Sequence, residues 1–152
     1  MSEPFTIVRL STLTGYTPQL HRLLDLCYPN QPRDVFYRLV EQYRPGFPAW
    51  LALNEETSLI GFVHLAPNSK GGTLETLAVD PEYRGLGVAR VLVRSLLKAT
   101  PGLITLTTRI PDFFRHQGFE IIRSLPDASV LMIYYGFPTV TPLAIAQFEE
   151  AP

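Results

Sequence analysis

Arg84, Gly85, Gly87 and Ala89 fall within the stretch VDPEYRGLGVAR, residues 79–90, which follows an apolar run and opens a run with helical spacing. An arginine and three small residues on a strand-to-helix turn suit one chemistry above others. A helix N-terminus has free N–H groups and a partial positive charge. Small residues let an anion approach those groups closely. Gly85, Gly87 and Ala89 permit that approach and Arg84 adds a full charge, so a pyrophosphate is the natural guest. The competing explanation is that the glycines only make a tight turn.

Two other phosphate motifs are excluded. No G-x-x-x-x-G-K-[ST] occurs, so the turn is not a P-loop. The Gly85/Gly87 pair lacks a third glycine two residues on. The segment KATPGLI, where a dinucleotide fold would carry its acidic residue, contains neither Asp nor Glu.

The elements that must position this turn can be read around it. FTIVRL at 5–10 reads as a strand. Thr17 is expected to cap a helix with Pro18 in its first turn, and Leu20, Leu23, Leu24 and Cys27 supply its buried stripe. Val35, Phe36, Leu39, Val40 and Tyr43 mark a second helix, stopped by RPGFP. AWLALNE and SLIGFVHLA have strand length, and the turn PNSKGG joins the latter to TLETLAVD, as in an antiparallel meander. After the turn, a helix is expected from about 86 to 99. Arg90, Arg94 and Lys98 share its wet face, and Leu92, Leu96 and Ala99 its dry one. LITLTTR is a strand, PDFFRHQG a short helix ended by Gly118, and FEIIRS and SVLMIYYG complete a sheet. The order predicts an α/β (mixed α+β) domain, a mixed, mostly antiparallel sheet with helices on both faces.

Composition narrows the classes. With 152 residues, of which 46% are hydrophobic, the chain suits one domain with a real core. The net charge is −1 and the basic residues form no block, which argues against nucleic-acid binding. One cysteine, Cys27, excludes an internal disulfide framework and a zinc cluster. No apolar run reaches the roughly 18 residues of a membrane span, and MSEPFTIVRL is unlike a secretory signal. These features predict a soluble, cytoplasmic domain with no metal and no membrane partner.

LETLAVDPEYRGLGVARVLV resembles the acyl-CoA binding motif of the GNAT superfamily of N-acetyltransferases. The pattern [Q/R]-x-x-G-x-[G/A] is matched by Arg84, Gly87 and Ala89. The apolar-Ala-Val run before it is matched by Leu77, Ala78 and Val79, followed by Pro81. A second signature, F-[FY]-x-x-x-G-F, is matched by FFRHQGF from Phe113 to Phe119. The element order fits over roughly residues 5–135. The resemblance implies a single GNAT-like domain over 1–136; the tail at 137–152, apolar in its middle, is expected to pack on the domain or on a partner subunit of a homodimer. It also implies acetyl-CoA as acyl donor, its pyrophosphate held by main-chain amides of Gly85, Leu86, Gly87, Val88 and Ala89. Leu77 and Val79 would line its pantetheine arm and pair with the amides there like an added strand. Phe113 and Phe114 would pack on the same arm.

Acetyl transfer to an amine also needs a donor facing the thioester oxygen, a path for the amine's proton, and a proton for the departing thiolate. The resemblance assigns the first to the N–H of Leu77. Glu75 is the first choice of base, because in a strand it shares a face with Leu77 and Val79. His64, in the strand beside it, is the second. Many family members carry a proton-donating tyrosine where this chain has Phe114. Tyr134 or Tyr135 are substitutes near the last strand, and Tyr83 lies nearer the phosphate turn. The acceptor, a primary amine of a small molecule or peptide, would enter beside Tyr28, Asn30, Gln31, Arg33 and Asp34. Cys27 fits the core. The expected function is acetyl-CoA-dependent N-acetyl transfer by direct attack on the thioester. The alternative is a non-catalytic acyl-CoA-binding sensor or partner module.

Overall fold

The computed structural model describes residues 4–10, 15–29 and 48–136. The expected second helix, the loop residues Asn30, Gln31, Arg33 and Asp34, and the tail at 137–152 lie outside the described residues. The elements are β1 (Phe5–Leu10), α1 (Thr17–Cys27), β2 (Ala49–Asn54), β3 (Leu59–Asn68), β4 (Gly71–Val79), a 3-10 turn (Pro81–Tyr83), α2 (Val88–Ala99), β5 (Leu103–Thr108), α3 (Pro111–His116), β6 (Glu120–Ser124) and β7 (Val130–Tyr135). The seven strands run in the order β1-β2-β3-β4-β5-β7-β6. The parallel pair is β4 with β5, through Gly71↔Leu103, Gly72↔Ile104 and Thr73↔Thr105. The β1–β2, β2–β3, β5–β7 and β6–β7 pairs are antiparallel. β3 and β4 are neighbours joined by Ser69 and Lys70 alone, a connection that only antiparallel strands can make.

Two compact units divide the described chain: residues up to Ala66 with Glu75–Leu96, and Pro67–Leu74 with the residues from Leu97 onward. In the first, Leu20, Leu23 and Leu24 of α1 form a buried core with Leu51, Phe62 and Ala78. The spacing i, i+3, i+4 puts all three leucines on one helical face. The helix starts one residue earlier than a Thr17 cap would allow. Tyr16 takes the cap position without a side-chain bond, and Thr17 is helical.

The opposite face of the same strands carries α2. Leu51 pairs with Phe62 and Ala52 with Gly61, and alternation turns the second pair away from α1. A Cβ built on Gly61 would lie 2.8 Å from Val88 Cγ1 and 3.0 Å from Leu92 Cδ1. The glycine thus lets α2 settle directly on the sheet, and helices cover both faces of this unit. Val88, Leu92, Val93 and Leu96 are buried, while Arg90, Arg94 and Lys98 are exposed as their spacing predicts. Ala99 departs from the expected dry face: it is exposed at the helix's end.

In the second unit β7 lies between β5 and β6, and Leu106, Phe114, Phe119, Met132 and Ile133 are buried. Phe114 meets Phe113 at 4.9 Å and Phe119 at 5.7 Å, both edge to face, and Phe119 meets Tyr134 at 5.5 Å. The β3–β4 turn is tighter than PNSKGG suggests. Asn68 Oδ1 accepts from the N–H groups of Lys70 and Gly71, so both strands run up to the turn.

Candidate active site

The stretch after β4 folds through one buried carboxylate. The Asp80 N–H donates to Ile60 O at 2.8 Å, tying the end of β4 to β3. Its Oδ1 accepts from the Glu82 N–H at 2.9 Å, which caps the 3-10 turn begun by Pro81. Tyr83 is held from outside by Asn54 Nδ2 at 3.0 Å. Gly85 and Gly87 then take left-handed backbone, with φ of 86° and 83°, which glycine adopts without steric cost. The first helical bond of α2 runs from the Val91 N–H to Gly87 O at 3.0 Å. Among the described residues, none of the backbone N–H groups from Gly85 to Arg90 has a protein partner. These donors therefore stand together at the positive end of a twelve-residue helix.

A coenzyme diphosphate fits this turn. A Cβ built on Gly85 meets nothing within 4 Å, and one on Gly87 meets only Arg90, at 3.6 Å from Nη2 and 3.9 Å from Nε. The turn's outer side is open and bordered by a guanidinium. Sequence reasoning had put Arg90 merely on a wet helical face. Its position in the first turn after the glycines was the available signal. Arg84, by contrast, folds back on the strand. Its Nε donates to Val79 O at 3.3 Å and its Nη2 lies 4.0 Å from Cys27 Sγ. Besides charge, Arg84 thus brings a tether that holds the turn against β4.

Just before the turn, β4 presents backbone on the edge away from β3. Residue 80 faces β3 through its bond to Ile60, so alternation directs the N–H and C=O groups of Leu77 and Val79 the other way. Their carbonyls confirm it. Leu77 O accepts from the Tyr28 hydroxyl at 3.0 Å, and Val79 O accepts from Cys27 Sγ at 3.3 Å. Both donors come from the last turn of α1. Burial pushes the Cys27 thiol above its ordinary value, opposed by the hydrogen bond and charge of Arg84. Burial likewise pushes the Tyr28 phenol up, so both groups are protonated near neutrality. Cys27 is half-buried at this edge and packs against the core of the first unit.

The two base candidates stand in different surroundings. Glu75 is exposed and alternates against buried Leu74 and Thr76, with Leu77 on its own side of the strand. His64 follows Phe62 onto the α1 face, its ring parallel to that of Phe62 at 6.4 Å. Burial lowers its pKa from 6.5 to about 4. The structure does not bring Glu75 and His64 to one face. Phe113, Phe114 and Tyr134 stand together in the aromatic cluster of the second unit, and Tyr135 ends its strand β7. Among the described residues, no group of three or more His, Cys, Asp or Glu could hold a metal ion. No helix among them is long and apolar enough to cross a membrane.

A strand thus leads through a short turn into an amide-lined, glycine-bearing helix start, an arrangement suited to an anionic coenzyme. The sequence profile of the Acetyltransferase (GNAT) family matches residues 17–119, and the chain belongs to that family. Among its relatives is the Peptidyl-lysine N-acetyltransferase YjaB of Escherichia coli K12, 34% identical over 105 residues that cover 66% of each chain. The YjaB of Salmonella typhimurium is 30% identical over 96 residues, covering 60% of this chain and 63% of the relative. The chain thus spans just under two thirds of these relatives' length. An Amino-acid acetyltransferase of Pseudomonas fluorescens is 29% identical over 150 residues, 88% of this chain but 32% of that one. Among solved structures, aminoglycoside 6'-acetyltransferase type Ii superimposes with a TM-score of 0.74 at 24% identity, covering 90% of this chain and 98% of that one. YhbS of Escherichia coli, solved in complex with CoA, has a TM-score of 0.69 at 22% identity, covering 88% and 82%. These two show that the GNAT fold is shared.

Proposed function

We propose that the chain is an acetyl-CoA-dependent N-acetyltransferase whose acceptor is a primary amine of a peptide lysine or a free amino acid. The observation that carries this reading is the unbroken run of uncommitted N–H groups from Gly85 to Arg90, one short turn after a strand whose Leu77–Val79 segment faces away from β3 and lies beyond the last β4–β5 pair, Thr73↔Thr105. The coenzyme supplies an acetyl group activated as a thioester. The residues proposed to hold it are Leu77, Ala78, Val79, Arg84, Gly85, Leu86, Gly87, Val88, Ala89, Phe113 and Phe114. The amides of Gly85 to Ala89 take the diphosphate, and charge-assisted bonds of this kind are about twice as strong as neutral ones. The N–H of Leu77 donates to the oxygen on which charge develops.

Glu75 takes the amine's proton, directly or through water, since an exposed carboxylate can pass it on to solvent. His64 is the weaker base, because a neutral imidazole with a pKa of about 4 has little affinity for a proton at neutral pH. Tyr134, the sequence's candidate for the proton donor, packs against Phe119 in the aromatic cluster of the second unit. The acceptor classes rest on the names of the relatives, one set acting on peptidyl lysine and the other on amino acids. The cytoplasm is the compartment this reading proposes. A homodimer is the proposed assembly, with the tail at 137–152 proposed to pack on the domain or on the partner subunit, and sedimentation with and without that tail tests it.

Release of thiol from acetyl-CoA, measured against free amino acids and a lysine-containing peptide, tests the activity. An amine-dependent release that falls about 100-fold or more in Glu75→Gln is expected. Coenzyme binding without release from any amine, unchanged in Glu75→Gln, would instead make the chain a non-catalytic acyl-CoA-binding module. The lack of a hydroxyl on Phe114 is the feature that favours that outcome.

A further inference from the structure

Tyr28 closes α1. Its N–H donates to Leu24 O at 2.8 Å, completing the last turn, and this bond fixes where its side chain leaves the helix. The phenol crosses to β4 and donates to Leu77 O at 3.0 Å, joining residues 49 positions apart. Leu77 is the residue whose own N–H, in the reading above, faces the thioester oxygen. A hydroxyl bonded to the carbonyl of that residue lies within one residue's length of the reacting group. We propose that Tyr28 is the proton donor to the departing thiolate, supplying the hydroxyl that Phe114 lacks. The inference rests on the acetyltransferase reading and names a residue for its last step.

The chemistry balances without a further reactant. As the amine nitrogen bonds to the acetyl carbon and the C–S bond breaks, the electron pair of that bond stays on sulfur. The proton of Tyr28 Oη passes to the sulfur, and the phenolate left behind is reprotonated from water. The surroundings keep the acid loaded. Burial raises the phenol's pKa, and the groups that act on it are the Cys27 thiol from α1, which raises it further, and the Arg84 guanidinium from the turn, which lowers it. Arg84 also offers a positive charge beside the phenolate that forms.

A phenol that can hand a proton to sulfur also stabilises the thiolate by a hydrogen bond, and that effect needs no acceptor amine to be measured. The thiol of bound CoA is titrated by its thiolate absorbance in Cys27→Ala, which removes the chain's own thiol, and in Cys27→Ala/Tyr28→Phe. Calorimetry supplies the CoA affinity of each. The expected result is a bound thiol that titrates below free CoA in the first protein and about one unit higher in the second. CoA affinity is expected to change less than about twofold between the two, since the diphosphate contacts are untouched. Equal values in the two proteins, or a bound thiol in Cys27→Ala that titrates at or above free CoA, would overturn the assignment. The second result needs no Tyr28 variant to fold. A wild-type protein that binds no CoA would instead remove the acetyltransferase reading, and this inference with it.

Discussion

Protonation of His64 sets a stability difference that can be worked out from its surroundings. The imidazole is 7% exposed, in a β3 segment of apolar residues, and burial lowers its pKa from 6.5 to about 4. Between those two values the unfolded chain binds the proton more readily than the folded one, so stability falls as pH falls. The contribution is fully present above 6.5 and lost on the way down to about 4. Linkage gives about 2 kcal/mol lost at about pH 5, and about 3 kcal/mol once both states are protonated. For a domain of this size such a loss lowers the midpoint temperature by several degrees, roughly 5–10 °C. The assay is urea unfolding followed by tryptophan fluorescence at about pH 7.5 and about pH 5, on the wild type and on His64→Gln. Whatever the absolute stability of the variant, its pH dependence should be shallower than the wild type's by about 2 kcal/mol over that interval. Groups common to both proteins, such as Asp127 held down by its hydrogen bonds to Ser129, cancel in the comparison. Equal pH dependences would refute the claim that His64 is buried and neutral, and would restore it as a candidate base.

Gly61→Ala places a methyl 2.8 Å from Val88 Cγ1 and 3.0 Å from Leu92 Cδ1, so α2 must retreat from the sheet. A stability loss of about 1–3 kcal/mol by urea unfolding is expected, with weaker CoA binding by calorimetry although no coenzyme contact is altered. Gly87→Ala forces a side chain into φ of 83°, at a cost of about 1–2 kcal/mol. The same variant should lose CoA affinity while leaving the unfolding slope unchanged.

The glycine turn after β4 was legible in the sequence because its determinants are local. Two glycines needing positive φ, a proline at the start of the 3-10 turn and the strand end before it all lie between Val79 and Gly87. The strands were legible for the same reason, as apolar runs between polar turns. Where the reading slipped, a non-local contact or a terminal effect decided. Thr17 is not the cap because Tyr16 stands there and its carbonyl accepts from the Leu20 N–H. Ala99 leaves the dry face because the helix ends with it. The meeting of Tyr28 with Leu77, and of Cys27 with Val79, spans 49 and 52 residues and leaves no periodic trace. Arg84 matched the motif by type, yet its tether to Val79 O depends on how the turn folds back.

The central claim is that backbone donors between Gly85 and Arg90 hold a diphosphate. Isothermal titration of the wild-type chain with CoA, with 4'-phosphopantetheine and with pantetheine, which lacks the diphosphate and the adenosine 3'-phosphate, tests it most directly. One CoA per chain is expected, with pantetheine binding about 100-fold more weakly or worse, because two or more charge-assisted hydrogen bonds are lost with the diphosphate. Equal affinities, or no heat from CoA at all, would contradict the account.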